Sequence, residues 1–214
     1  INHITREIIP RIIEHNDIGR PYLPSSPYIS EKMYVAGFRA QEHGSPLVED
    51  HLWGPRDYFK SDFYSCNKAH FVSETGYHGC PSLESIKKFI TAEKVWPYQN
   101  NSEWILHSSD QKGNDGRVML MENQVRQLFG TVPTDPEDYI LASQISQAEA
   151  KKYFIERMRV GRPQKTGIIW WNLLDGWPQM SDAVVDYYFT KKLAYGYIKR
   201  SQAPFCIIAD EISN

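Results

Sequence analysis

Short apolar runs alternate with amphipathic segments along this chain. Four runs rich in β-branched and aromatic residues end in polar or aromatic groups and predict strands, at residues 21–28, 46–53, 69–74 and 166–172. Apolar residues recur at helical spacing behind the cap candidates Ser82 and Asp135, and again over residues 188–200. Because strands that alternate with helices form parallel βαβ units, the pattern predicts an α/β fold.

One predicted strand ends on a carboxylate, Glu74, and then breaks into a loop punctuated by glycines. In (β/α)8 barrels the active site lies at the carboxyl ends of the parallel strands, so this acid is a candidate for catalysis. The alternative is a solvated glutamate at a strand end. His51, Trp53, Tyr77 and His78 are the nearby residues whose donor groups could keep such a carboxylate ionised.

Four blocks of residues carry a family resemblance. They are His-Leu-Trp-Gly at 51–54, Ser-Glu-Thr-Gly-Tyr at 73–77, the aromatic run at 170–178 (WWNLLDGWP) and Val-Asp-Tyr-Tyr at 185–188. In this order, and over nearly the whole chain, they resemble glycoside hydrolase family 2, with its β-mannosidase-like branch closest. The resemblance implies half of a (β/α)8 TIM barrel, strands five to eight with their helices.

The resemblance also implies a domain organisation. Residues 1–202 would form the C-terminal half of the catalytic barrel, with a long loop excursion at about 97–133. Residues 203–214 would begin a following β-sandwich domain or form a tail. We therefore expect this chain to be a fragment of a larger multidomain enzyme.

The activity that the resemblance implies is that of a retaining exo-β-glycosidase. Glu74 would be the nucleophile of a double displacement, with β-mannoside favoured over β-galactoside and β-glucuronide. Retention requires a second carboxyl group about 5–5.5 Å away to protonate the leaving oxygen. In the family this acid/base glutamate follows an asparagine at the end of the fourth strand, which would lie upstream of Ile1. We therefore expect the isolated chain to be inactive or nearly so.

Aromatic side chains predict the sugar contacts. Trp53 and Trp171 end strands and offer ring faces on which a pyranose can stack, whereas Trp170 should point the opposite way and pack beneath the helices. Asn172 can donate to a sugar hydroxyl, and Asp175 is a candidate for orienting the site or fixing its loop. The predicted substrate contacts are Trp53, His51, Trp171, Asn172, Tyr77 and Asp175.

Composition limits the other classes of function. The net charge of -2 with dispersed basic residues gives no footprint for nucleic acid, and no apolar run is long enough to predict a membrane span. The three cysteines and seven histidines lack metal-type spacing, so we expect no metal and no cofactor, and the compartment stays open.

Two further expectations concern the fragment itself. A catalytically inactive carbohydrate-binding barrel relic is the alternative function, because it would keep the aromatic platform while lacking a proton donor. A half-barrel would also expose two strand edges, which predicts edge-to-edge pairing of two copies.

Overall fold

The computed structural model describes residues 2–40, 46–55, 57–108 and 117–210. Its sheet has three parallel strands in the order β1 (Glu49–Leu52), β2 (Phe71–Gly76) and β3 (Gly167–Trp171). Helices lie between and after the strands, so the predicted mixed α/β fold is confirmed.

Eight α-helices are found in these ranges. They are α1 (Ile9–Asn16), α2 (Glu31–Val35), α3 (Asp62–Ser65), α4 (Leu83–Ile86), α5 (Ser102–Leu106), α6 (Val118–Phe129), α7 (Pro136–Val160) and α8 (Leu193–Ser201). A π-helical turn, Ile4–Ile8, precedes α1, and a 3-10 turn, Ala92–Lys94, precedes α5. No helix in the described part of the chain combines the length and apolar character needed to cross a membrane.

The longest helix, α7, begins where the sequence predicts it. The Asp135 carboxylate accepts hydrogen bonds from the backbone amides of Glu137 (2.9 Å) and Asp138 (3.2 Å), and Pro136 occupies the first turn. These contacts satisfy amides that have no partner inside the helix. Buried residues of α7, including Ala150 and Phe154, pack against the sheet.

The predicted strand at residues 21–28 is not observed. This segment contains Pro21, Pro24 and Pro27 and forms bends instead, because a proline has no amide hydrogen to give to a sheet. It still lies beside β1, since the backbone amide of Tyr28 donates to the Glu49 carboxylate at 2.8 Å. The sheet therefore has three strands rather than the four predicted.

Residues 97–133, which the sequence predicted as a loop excursion, contain α5 and α6. Trp104 on α5 is fully buried, and its indole N–H donates to the carbonyl of Val95 at 3.1 Å. It packs with Tyr98, Met121 and Tyr139 in one core cluster. The polar stretch 109–116 of the predicted loop lies outside the described residues.

The sheet has two unlike faces. Leu52, Val72 and Ile168 face the helices and belong to the core. On the opposite face Ile169 and Trp171 of β3 are about half exposed, at 56% and 49%. Trp170 packs against buried residues of α7 and α8, as the alternation of the strand predicts.

Candidate active site

Glu74 lies on the open face of the sheet, near the carboxyl end of β2. The ladder between β1 and β2 pairs Asp50 with Val72 and then shifts, so that His51 pairs with Glu74. Such an irregularity re-aims a side chain relative to its regular neighbours. The shift brings the carboxylate beside the imidazole on the same face.

Two nitrogen atoms lie against one oxygen of this carboxylate. The indole Nε1 of Trp53 donates to Glu74 Oε2 at 2.7 Å, and His51 Nδ1 lies 3.1 Å from the same oxygen. Within the described ranges, no donor contacts Oε1. One oxygen is therefore fixed, while the other can attack an electrophile or take up a proton.

A second carboxylate, Glu49, lies behind this pair and is almost fully buried. It accepts hydrogen bonds from the hydroxyl of Ser26 (2.6 Å), the hydroxyl of Ser73 and the amide of Tyr28. The Ser26 oxygen also lies 3.0 Å from His51 Nε2. The sequence predicted no role for Glu49, although its position two residues before His51 places both side chains on one face.

Trp171 and Asn172 lie where β3 ends. Trp171 pairs with Gly76 of β2 and is on the same open face as Glu74. Its carbonyl accepts a hydrogen bond from the buried ammonium of Lys151. The Asn172 amide donates to the carbonyl of Leu174 at 3.3 Å, which shapes the loop that follows. The structure thus brings Trp171 to the site and uses the Asn172 amide within its own loop.

Tyr77 takes a different place from the one predicted for a substrate contact. Its side chain is fully buried in the core beside Phe59 and Phe154. Its hydroxyl donates to the carbonyl of Asp57 at 2.7 Å. The structure therefore does not bring the Tyr77 side chain to the open face of the sheet.

Asp175 is buried in the loop after β3. Its Oδ1 accepts hydrogen bonds from Ser181 Oγ at 2.5 Å and Gln179 Nε2 at 2.8 Å. Burial raises the pKa of this carboxyl group, while the ammonium of Lys192 opposes that effect. These contacts agree with the expectation that Asp175 fixes its loop. They agree less well with a direct contact between Asp175 and a sugar.

Gly76 allows Trp53 to approach the strand closely. A Cβ atom at this position would lie 2.6 Å from two ring carbons of Trp53 and 2.7 Å from Asp182 Oδ1. The same Asp182 oxygen lies 3.2 Å from Nδ1 of the buried His78. The hydrogen at this glycine therefore leaves room for the indole that contacts Glu74.

Two buried side chains tie the loops after β2 and β3 together. The amide nitrogen of Gln147, on α7, lies 3.0 Å from the carbonyl oxygen of Tyr77 and 3.1 Å from that of Asp182. The ammonium of Lys192 donates to the carbonyls of Gly79 (2.7 Å) and Ser181 (3.3 Å). Burial lowers the pKa of Lys192, with the Asp175 carboxylate opposing that change.

The chain is similar in sequence to several β-mannosidases. It is 30% identical to a β-mannosidase of Rattus norvegicus over 95% of this chain and 24% of that protein. It is 27% identical to a β-mannosidase B of Thermothelomyces thermophilus over 89% of this chain and 23% of that protein. The chain thus spans about a quarter of the length of these curated relatives. No protein-family model matches it.

The chain is also similar to parts of solved glycosidase structures. A β-D-mannosidase from Dictyoglomus thermophilum matches 93% of this chain and 23% of its own, with a TM-score of 0.75 and 30% identity. An exo-chitosanase of Amycolatopsis orientalis, in complex with PNP-β-D-glucosamine, matches with a TM-score of 0.65 and 18% identity, which indicates a shared fold alone.

Proposed function

Because most of this chain is a β-mannosidase-like region of glycoside hydrolase family 2, we propose that the protein containing it is a retaining exo-β-glycosidase that cleaves terminal β-mannosides. The observation that carries the proposal is the asymmetric carboxylate of Glu74. The Trp53 indole N–H donates to Oε2 and His51 Nδ1 lies 3.1 Å from it, whereas no described residue donates to Oε1.

Glu74 is the nucleophile in this proposal. Its Oε1 attacks the anomeric carbon while the glycosidic C–O bond breaks, and a second carboxyl group protonates the departing oxygen. Water, deprotonated by the same second group, then attacks the anomeric carbon and releases Glu74 as a carboxylate. The Trp53 indole donates to Oε2 and the His51 ring lies beside the same oxygen, so these two side chains orient the nucleophile before attack.

The acid/base carboxyl group belongs to a segment upstream of Ile1 in this proposal. The three strands would be part of a (β/α)8 barrel, of which residues 1–202 form the C-terminal half and residues 203–214 lead into a following domain. The short coverage of the relatives and the half-exposed face of β3 support this arrangement. The isolated chain would then hydrolyse glycosides poorly or not at all.

Trp171 is the proposed platform for the sugar ring. It is half exposed, and its strand partner Gly76 follows Glu74 by two residues. A ring face of this kind stacks against the apolar C–H face of a pyranose. Trp53 contributes through its N–H group, which is already directed at Glu74.

Chemical rescue of the nucleophile tests the proposal. Glu74→Ala, in the full-length protein, should lose hydrolysis of 4-nitrophenyl β-mannoside by at least about 10³-fold. Azide should restore turnover and yield a glycosyl azide of inverted configuration, because it can enter the space left by the carboxylate. The same assay with aryl β-galactoside, β-glucuronide and β-glucosaminide identifies the sugar.

The control variant is Glu84→Ala, an exposed acid on α4 that is paired with Lys87. It should retain full activity. Unchanged hydrolysis in Glu74→Ala would refute the role of this residue. A protein that binds mannosides without hydrolysing any of them would instead be a carbohydrate-binding relic.

Pairing between copies of the fragment is a separate proposal. Within the part of the chain that the structure describes, the outer edges of β1 and β3 have no neighbouring strand. Because unpaired edges attract further strands, the isolated 214-residue chain should associate edge to edge. A monodisperse monomer in light scattering would contradict this.

A further inference from the structure

A continuous path of close polar contacts connects the two carboxylates of the site. From Glu74 Oε2 it runs to His51 Nδ1 (3.1 Å), then from His51 Nε2 to Ser26 Oγ (3.0 Å), and from Ser26 Oγ to Glu49 Oε1 (2.6 Å). The Ser73 hydroxyl and the amide of Tyr28 complete the set of donors on Glu49. Nothing in the proposed mechanism uses Glu49.

The order of donors along this path involves both ring nitrogens of His51. A hydroxyl group has one proton to donate, and the Ser26 hydroxyl has three polar neighbours. Its contact with Glu49 Oε1 is the shortest at 2.6 Å, while His51 Nε2 lies at 3.0 Å and Ser73 Oγ at 3.2 Å. When the serine proton is engaged by Glu49, the Ser26 oxygen is left to accept from His51 Nε2, 3.0 Å away. His51 Nδ1 lies 3.1 Å from the Glu74 carboxyl oxygen. In this arrangement both ring nitrogens act as donors.

We propose that Glu49 is a positioning residue, which acts through Ser26 to keep both ring nitrogens of His51 protonated and so holds a positive charge against Oε2 of the nucleophile. This inference rests on the proposed function of Glu74. Glu49 never reaches the substrate, and it acts only by accepting the hydrogen bond of Ser26, which leaves the Ser26 oxygen to accept from His51 Nε2.

The charge matters most in the second half of the reaction. When water attacks the glycosyl intermediate, the Glu74 carboxylate leaves with a full negative charge. A cation already in contact with Oε2 stabilises that charge as it develops, without any rearrangement. If Glu49 could not accept the serine proton, Ser26 would donate to Nε2, and His51 would face Glu74 as a neutral ring.

Comparing two substitutions of Glu49 separates charge from shape. In the full-length protein, Glu49→Gln keeps the size of the side chain and removes its charge, whereas Glu49→Asp keeps the charge on a shorter side chain. With aryl β-mannoside, Glu49→Gln should lower kcat/KM by about 10- to 100-fold, the effect of losing a hydrogen bond to a charged group. Glu49→Asp should retain more activity than Glu49→Gln. The reverse order would overturn the proposal, because a merely structural role depends on shape.

Substitutions at Ser26 test the connection itself. Ser26→Ala should lower kcat/KM as much as Glu49→Gln, Ser26→Thr should remain close to wild type, and the double variant Glu49→Gln/Ser26→Ala should be no worse than either single one. If the losses in kcat/KM of the two single variants multiply in the double variant, Glu49 and Ser26 act independently, and the proposal is overturned.

Protein stability and the nucleophile supply the remaining controls. Thermal unfolding midpoints show which variants are folded. If Glu49→Gln does not fold, the exposed Ser26 carries the test, and activity of Ser26→Ala within about threefold of wild type would overturn the inference. Full activity in Glu74→Ala would refute the proposed function and this inference together. Loss of activity in Glu74→Ala, with no effect in the Glu49 and Ser26 variants, would refute this inference alone.

Discussion

A single methyl group at Gly76 should disable the site without touching the nucleophile. The Cβ of alanine at this position would lie 2.6 Å from Cη2 and Cζ3 of Trp53 and 2.7 Å from Asp182 Oδ1. Carbon atoms in van der Waals contact are about 3.5–4.0 Å apart, so the indole must move by about 1 Å. The indole N–H now donates to Glu74 Oε2 at 2.7 Å, and a shift of that size takes it beyond hydrogen-bond reach.

The expected loss is larger for activity than for stability. Misplacing a group by about 1 Å at a catalytic centre can cost about 10²-fold in rate. Inserting one methyl group into a packed site typically costs about 1–3 kcal/mol of folding free energy, which leaves a large protein folded. We therefore expect kcat/KM of Gly76→Ala on 4-nitrophenyl β-mannoside to fall by about 10²-fold, with only a modest decrease in unfolding midpoint.

Gly176 provides the matched control. A Cβ there would meet no atom within 4 Å, so Gly176→Ala should keep its activity. A second control is the pair Trp53→Phe and Trp53→Phe/Gly76→Ala. A phenyl ring is shorter than an indole, so the added methyl group should cost little once Trp53 is replaced. Activity of Gly76→Ala within threefold of wild type, or effects that simply multiply with Trp53→Phe, would refute the argument.

Three further predictions concern stability and reactivity. Burial raises the pKa of the Cys80 thiol to about 11, so iodoacetamide at pH 8 should modify the exposed Cys66 and leave Cys80 intact until the protein unfolds, as mass spectrometry of digests would show. Lys192→Met should reduce the free energy of unfolding by about 1.5–3 kcal/mol in urea titrations, because it removes the charged donor from the carbonyls of Gly79 and Ser181. Hydrogen bonds from Thr91 lower the pKa of Glu103 from 4.5 to about 2, so this acid stabilises the fold above pH 4.5. That contribution disappears as the pH falls from 4.5 towards 2, and Glu103→Gln should remove this part of the acid dependence of the unfolding midpoint.

Local sequence signals predicted several elements well. The Asp135 cap with its following proline predicted the start of α7, and the alternation in β3 predicted opposite directions for Trp170 and Trp171. The strand prediction for residues 21–28 was wrong. Their aromatic and apolar composition is typical of a strand, but the three prolines have no amide hydrogens to donate to a sheet.

The site was predictable only in part. Glu74, His51 and Trp53 follow from strand ends and family motifs, but the contacts that join them depend on a register shift that no local pattern reveals. Tyr77 was expected beside Glu74, yet the chain turns its side chain into the core. Ser26 could not be found from sequence at all, because its contact with Glu49 joins residues 23 positions apart.

The Gln147 amide has a consequence for motion. Its nitrogen contacts the carbonyl of Tyr77 in the loop after β2 and the carbonyl of Asp182 in the loop after β3. Movement of either loop therefore breaks a buried hydrogen bond to the same side chain. The segments after β2 and β3 should therefore open together, with one shared free energy, and their amides should exchange with deuterium at matching rates.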